Sequence, residues 1–249
     1  MITSLPPTKQ NIIYPSSDGQ PLADNTKQFR WIVVIQQNLE WLFAEDNHVF
    51  VAGDLLWYAV EGDPKIRLAP DILVAFGRPK GDRGSYQQWK EGNIPPQVVF
   101  EILSPGNRVK KMVEKLRFYE RYGVEEYYIY DPDGIELTGL IRSETGLVVI
   151  DEIHNWISPC LGIRFDMSGE ELQIYRPDGQ PFASYVEIAQ QAEQAEQRAE
   201  QAGQRAEQAE QRAEQAEQRA EQAVSQLEQQ RQRTEQLAER LKAMGINPD

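Results

Sequence analysis

Between Ala192 and Ala223 the phrase AEQAEQR recurs every seven residues, and the alanine spacings alternate between three and four. Tyr185 and Ile188 extend that stripe upstream, and Leu227, Leu237, Leu241 and Met244 extend it downstream. This is a heptad, with Ala192 at an a position and Ala195 at a d position. Alanine favours helix but removes little surface from water, so such a stretch cannot build a globular core of its own. After Ser184 the only aromatic residue is Tyr185. The chain is therefore expected to divide into a core-forming domain over 1–182 and a helical coiled coil over 183–249. Gly245 and Pro248 would stop a helix of about 60 residues, which at 1.5 Å per residue spans about 90 Å.

A lone solvated helix is one alternative for the tail. Its charges favour a paired one. Arg198, Arg205, Arg212 and Arg219 fall at g, where no acid lies three or four residues away to bind them within the helix. Arg205 and Arg212 instead precede Glu210 and Glu217, both at e, by five residues. That offset is bridged between chains in a parallel coiled coil, so a parallel homodimer is expected.

The first part of the chain carries the chemistry. Of 39 acids and 26 bases, residues 183–249 hold 13 and 8, leaving 26 acids and 18 bases before them. An acidic balance speaks mildly against a polyanionic partner, yet Arg108 to Arg121 carries six bases against two acids. The single cysteine, Cys160, rules out an internal disulfide. No apolar run approaches a membrane span, and MITSLPPTKQ does not read as a signal peptide, so a cytoplasmic protein without membrane contact is expected.

Residues 1–22 read as an extended arm. A helix follows from about Asp24 to Phe43, with Trp31, Val34, Ile35, Leu39 and Leu42 at helical spacing. HVFVAGDLLWYAV (48–60) reads as a strand with a bulge at Gly53, and RLAPDILVAF (67–76) as its antiparallel partner. Residues 77–96 lack periodicity and read as a long polar loop. A strand (97–103), a helix from about Asn107 to Tyr122, a strand (125–131) and a run of hairpins complete the body. The order α-β-β-β-α-β predicts an α/β fold around one mixed sheet, with extra hairpins.

One residue in that pattern is out of place. In VVFEIL an acid, Glu101, sits among five apolar residues. A buried carboxylate costs several kcal/mol unless it is paired or holds a cation. Asp71 is a similar oddity, opening the apolar run of APDILVAF. Two strand-borne acids could share Mg²⁺ (or Mn²⁺), which takes oxygen ligands and keeps several waters. On the following helix Val109, Val113, Leu116 and Tyr119 predict an apolar arc. Lys115 falls at its edge, able to reach the acids, while Lys110 and Lys111 point outward. SPGN offers Asn107 as a cap, with free N–H groups for a phosphate.

Alternatives exist for each residue. Asp71 could be a turn acid after proline, Glu101 could pair internally with Lys115 or Arg117, and Lys115 could be a solvated helix position. His48 and His154 lack ligand-like company, and no serine or cysteine has the surroundings of a nucleophile.

PDILV, VVFEILSP and EKLRFYERYGVEEYYIYDP together resemble the Uma-type family of bacterial restriction endonucleases, over roughly 10–180 and excluding the tail. That resemblance implies a fold similar to the PD-(D/E)xK nuclease superfamily, and a metal-dependent DNA endonuclease. The family's two acids fall on Asp71 and Glu101. The lysine expected two residues after the glutamate is replaced by Leu103, and the resemblance assigns its role to Lys115, with Tyr119 one turn later. Asp54 could be a third acid, and Glu40 could fill the superfamily's helical-acid position. The resemblance further implies Mg²⁺ on Asp71 and Glu101, with Lys115 positioning or deprotonating a water or stabilising developing charge. Arg108, Lys110 and Lys111, and Arg78, Lys80, Arg83 and Lys90 of the loop, would contact DNA phosphates. The main rival is a nuclease fold that no longer cuts, a DNA- or protein-binding module that oligomerises through its coil. A two-carboxylate glycosidase is a second rival.

A peptide spanning 183–249 sediments as a helical dimer at tens of micromolar; a helical monomer there contradicts the paired coil.

Overall fold

The computed structural model describes residues 12–106 and 109–245. The start of the arm, the cap expected at Asn107, the cation Arg108 and the stop at Pro248 lie outside the described residues. In chain order the elements are α1 (Thr26–Leu42), β1 (Val49–Gly53), β2 (Trp57–Tyr58), β3 (Arg67–Leu68), β4 (Ile72–Phe76) and β5 (Tyr86–Gln87). They continue with β6 (Val98–Ile102), α2 (Val109–Tyr122), β7 (Glu126–Asp131), β8 (Glu136–Ser143), β9 (Gly146–Val149), β10 (Arg164–Asp166), β11 (Gln173–Tyr175) and α3 (Tyr185–Ala243).

The main sheet has the order β1-β4-β6-β7-β8-β9 and is mixed as expected. Every neighbouring pair in it is antiparallel except β6 and β7, which run parallel. Parallel neighbours need a crossover, and α2 provides it. Because helices cover both faces, the central strands read as nearly continuous apolar runs. On one face Trp31, Ile32, Ile35 and Leu39 of α1 pack with Val98, Phe100 and Ile102 of β6 and with Phe165 and Ile174 of β10 and β11. On the other, Tyr119 of α2 packs with Leu73, Val99, Tyr127 and Trp57. Asn25 caps α1, its side chain accepting the Gln28 N–H at 2.8 Å.

Three local expectations are corrected. The single strand expected over 48–60 breaks in two: β1 ends at Gly53, and Asp54 turns the chain with a φ of 48°. β1 pairs with β4 in the main sheet, while β2 joins β3 and β5 in a separate three-stranded sheet. The polar loop expected over 77–96 is an ordered brace. Its β5 runs parallel to β2, and a 3₁₀ turn follows at Gln88–Glu91. Tyr86 is fully buried, and its hydroxyl donates to the Ile94 carbonyl at 2.8 Å.

Helix α2 is rotated from its expected arc. Val109 and Val113 are 82 % and 42 % exposed, while Met112, Leu116, Phe118, Tyr119 and Tyr122 face the sheet. The aromatic rings decide the rotation. Phe118, Tyr119 and Tyr122 all pack on Trp57, with centroids 5.1, 6.3 and 6.4 Å away, and rings bury far more surface than two valines. Lys115 consequently lies within the inward stripe, one turn from Met112 and Tyr119, rather than at its edge.

The chain separates into two compact units, one through Tyr185 and one from Val186. In the second, α3 is a continuous 59-residue helix with no buried residue. Among the described residues no helix is long and apolar enough to cross a membrane.

The body also buries an acid that sequence patterning did not flag. Glu126 is 1 % exposed on the α1 face and is enclosed by neutral donors. It accepts from Tyr128 Oη at 2.9 Å, from the Cys160 N–H at 2.7 Å and from Ser158 Oγ. These bonds tie the segment before β10 to β7. Removing the acceptor strands several buried donors, each costing about 1–3 kcal/mol. Glu126→Ala is expected to lower unfolding stability by about 3 kcal/mol in urea titration, whereas a change within about 0.5 kcal/mol would contradict the clamp.

Candidate active site

The register of the main sheet brings three acids into one row. Ile72 pairs with Phe100 across β4 and β6, and Gly53 pairs with Ile72 across β1 and β4. Continued by one residue, the same registers set Asp71 opposite Glu101 and Asp54 opposite Asp71. The Asp54 N–H donates to the Asp71 carbonyl at 3.1 Å, in keeping with that continuation. Side chains alternate along a strand, so Asp71 shares its face with Leu73 and Ala75, and Glu101 shares its face with Val99. Both acids therefore point toward α2. Directly opposed residues have Cβ atoms about 4.5–5.5 Å apart, close enough for the charges to interact strongly.

Helix α2 answers Glu101 with two donors. Lys115 Nζ lies 2.5 Å from Oε2, and Tyr119 Oη donates to Oε1 at 2.5 Å. Glu101 is 1 % exposed and Tyr119 fully buried, while Lys115 retains a path to solvent. Tyr119 is itself held by Trp57, stacked nearly parallel at 3°. Asp71 is oriented by the backbone: its Oδ2 accepts the Ile102 N–H at 2.6 Å.

These charges do not balance locally. Burial, then repulsion from Glu101, pushes the Asp71 carboxyl up to about 8. Burial also raises Asp54, with Asp18 and Glu101 adding repulsion. Burial alone would lower Lys115, but Glu101 and Asp71 outweigh it and the ammonium is held above its ordinary value. Burial and Glu101 likewise raise Tyr119, which stays a phenol and a donor. Among the described residues, three carboxyls thus act on the Lys115 ammonium.

A cavity of about 350 Å³ opens beside the row, lined by Asp54, Asp71, Lys111, Glu114 and Lys115, and by the arm from Asp18 to Asp24 with Gln28 of α1. Glu101 is not among its lining residues; Lys115 is. Among the described residues, no three His, Cys, Asp or Glu side chains are grouped so as to hold a metal ion. The donor set still fits a hard divalent ion. Its oxygens are carboxylate, its charge deficit is cationic, and two carboxylates plus water suffice for Mg²⁺. Lys115 Nζ supplies positive charge to Glu101.

Asp71, Glu101, Lys115 and Tyr119 therefore come together, with Asp54 beside them. Glu40 does not. Its carboxylate binds Lys80 at 2.8 Å and borders a different cavity, with Ala52 and Gly53. Arg83 and Arg78, expected to contact phosphate, are engaged elsewhere in the fold. Arg83 Nε and Arg78 Nε bind Glu91 at 2.7 and 3.1 Å, and Arg83 also bonds to the Pro79 and Gly81 carbonyls. They fasten the brace. Lys110 and Lys111 remain exposed, with Lys110 3.8 Å from Glu114. Asp18, Asp24 and Gln28 also line the cavity beside the row, and no motif in the sequence marks the two acids. Gln28 was readable, being a polar residue three and four positions before Trp31 and Ile32 on the inward stripe.

A family model described as "Uma2: Putative restriction endonuclease" matches residues 5–168. The chain belongs to the Uma2 family. One similar solved structure is that of "a putative nuclease belonging to DUF820 from Anabaena variabilis ATCC 29413". It shares 18 % identity with this Uma2 chain at a TM-score of 0.41, covering 54 % of this chain and 72 % of that one. No curated protein matches. The matched residues contain Asp54, Asp71, Glu101, Lys115 and Tyr119 and exclude the helical tail.

The raised Asp71 carboxyl has a consequence for stability. Between the ordinary carboxyl value of 3.8 and about 8, the folded chain keeps this proton and the unfolded chain releases it. Stability must then fall as pH rises through that window. Metal-free protein is expected to lose stability from pH 4 to 8, with a slope approaching one proton, and Asp71→Asn should flatten it. An unchanged slope in Asp71→Asn would contradict the assignment.

Proposed function

We propose that this Uma2 protein is a metal-dependent endodeoxyribonuclease that hydrolyses phosphodiester bonds at the acid row. The carrying observation is the opposition of Asp71 and Glu101 beside a cavity, with the Lys115 ammonium bonded to Glu101. Asp71 and Glu101 would hold Mg²⁺ or Mn²⁺. When bound, the ion supplies polarisation of the scissile phosphate and a water of lowered pKa.

The protein's own groups take the remaining roles. Asp71 is aimed by the Ile102 N–H, which holds Oδ2. Tyr119 holds Glu101 Oε1 and keeps that carboxylate fixed if Lys115 leaves it. Lys115 stays an ammonium at neutral pH, since its pKa is raised. That favours stabilisation of charge on the phosphate over proton abstraction, and it supplies what Leu103 cannot. Lys110 and Lys111, exposed on α2, would meet DNA phosphates. Dimerisation through residues 183–249 would bring two such sites to one duplex.

A second reading has its own support. Both Glu101 oxygens are already bonded, to Lys115 and Tyr119, as in a closed internal ion pair. A chain that kept only this pair would be a DNA- or protein-binding module without cleavage.

Plasmid cleavage separates the two. Wild-type protein should nick or linearise plasmid DNA only with Mg²⁺ or Mn²⁺. Glu101→Ala and Lys115→Ala should reduce the rate by about 100-fold or more while far-ultraviolet circular dichroism is retained. DNA binding with no cleavage under any divalent ion would leave the binding module as the correct reading.

A further inference from the structure

Gln28 is a polar side chain on the buried face of α1, 6 % exposed, and it uses both ends of its amide. Its Oε1 accepts the Asp24 N–H at 2.8 Å, and its Nε2 donates to the Ile102 carbonyl at 2.8 Å. Ile102 directly follows Glu101, and its own N–H donates to Asp71 Oδ2 at 2.6 Å. Ser104, two residues on, donates through Oγ to Asp24 Oδ2 at 2.5 Å. A closed circuit of hydrogen bonds therefore links the end of the arm, the first turn of α1 and the end of β6.

That circuit falls where the sheet cannot do the work. The ladder between β4 and β6 ends at Ile72 and Phe100, and the residue that would face Ile102 is Pro70, which has no N–H. Ile102 thus lies beyond its last strand partner on that side. Asp71 takes its N–H and Gln28 takes its carbonyl, while the next N–H, of Leu103, is held by the Tyr130 carbonyl at 2.8 Å. The backbone torsions of Ile102 are then fixed from both sides. Holding that residue at both its N–H and its carbonyl fixes the peptide plane that carries the N–H, and hence where the Asp71 carboxylate is held relative to Glu101.

We propose that Gln28 is a positioning residue for the acid row, holding the end of β6 so that Asp71 and Glu101 stay opposed. It acts through Ile102 and does not touch the reacting atoms. This assignment rests on Asp71 and Glu101 as the metal-holding pair. Only an amide of this length serves, because the position needs a donor and an acceptor together. Glutamate keeps the acceptor for Asp24 and loses the donor to Ile102. Methionine, of similar length, loses both.

The test uses the full chain in two variants, Gln28→Glu and Gln28→Met, so a folding failure in one leaves the other. Amide hydrogen exchange reads the strand end directly. Exchange at Ile102 and Leu103 should accelerate at least about tenfold in both variants, while Val98, Val99 and Phe100 keep wild-type protection. Calorimetric Mn²⁺ affinity should fall by about 10–100-fold, the usual cost of losing a group that orients a metal ligand. In cleavage assays kcat should fall with KM for DNA unchanged. Unaltered exchange at Ile102 in both variants would overturn the positioning role. So would Mn²⁺ affinity within twofold of wild type despite faster exchange. If wild-type protein binds no Mn²⁺, the metal reading fails on its own, and exchange at Ile102 still decides whether Gln28 holds the strand end.

Discussion

The ion pair between Glu101 and Lys115 organises the rest of the body. A carboxylate in the middle of a strand covered on both faces cannot be solvated by water, so the fold must bring it a cation and a second donor. Helix α2 does both at successive turns, with Lys115 and Tyr119 at 2.5 Å each. That requirement constrains the helix. Lys115 and Tyr119 share an inward stripe only in the rotation that also buries Phe118 and Tyr122 against Trp57. The three-stranded sheet carrying Trp57 is held in turn by the brace, where Arg78 and Arg83 close on Glu91. What reads in sequence as a polar loop is thus part of the support for the site.

The pair alone does not neutralise what lies beside it. Asp71 is brought opposite Glu101 by strand register, and Asp54 follows from the same register one strand further out. A purely structural ion pair would need neither of them. Glu126 makes the contrast within the same molecule, since it is equally buried yet satisfied by neutral donors, the Tyr128 and Ser158 hydroxyls and the Cys160 N–H. One buried acid is a closed clamp. The other belongs to a row short of positive charge and adjoining a cavity, and this asymmetry favours cation binding at Asp71 and Glu101.

Much of this was legible in sequence, for identifiable reasons. The chain order of elements around one mixed sheet followed from hydrophobic periodicity, and an acid placed where periodicity forbids solvent marked Glu101 as a residue in need of a partner. The continuous α3 helix followed from the heptad. Other features depended on tertiary packing that periodicity does not encode. The rotation of α2 was set by aromatic contacts with Trp57, a residue more than fifty positions away. Glu40 stood at a plausible helical position but found Lys80 first. Arg83 carried a charge suited to phosphate, and Glu91, eight residues later, captured it. Gln28 was visible as a polar interruption of an apolar stripe, but its partner, the Ile102 carbonyl, is a backbone atom that no side-chain pattern marks.

The central claim is that Asp71 and Glu101 form one cation site whose proton and metal ion compete. Calorimetric titration of Mn²⁺ into wild type and Asp71→Ala at pH 7, in two buffers of different ionisation enthalpy, tests it most directly. The account predicts one ion bound per chain, with release approaching one proton because Asp71 holds its proton up to about 8, and loss of both signals in Asp71→Ala. No binding by the wild type, or binding of equal strength in Asp71→Ala, would contradict it.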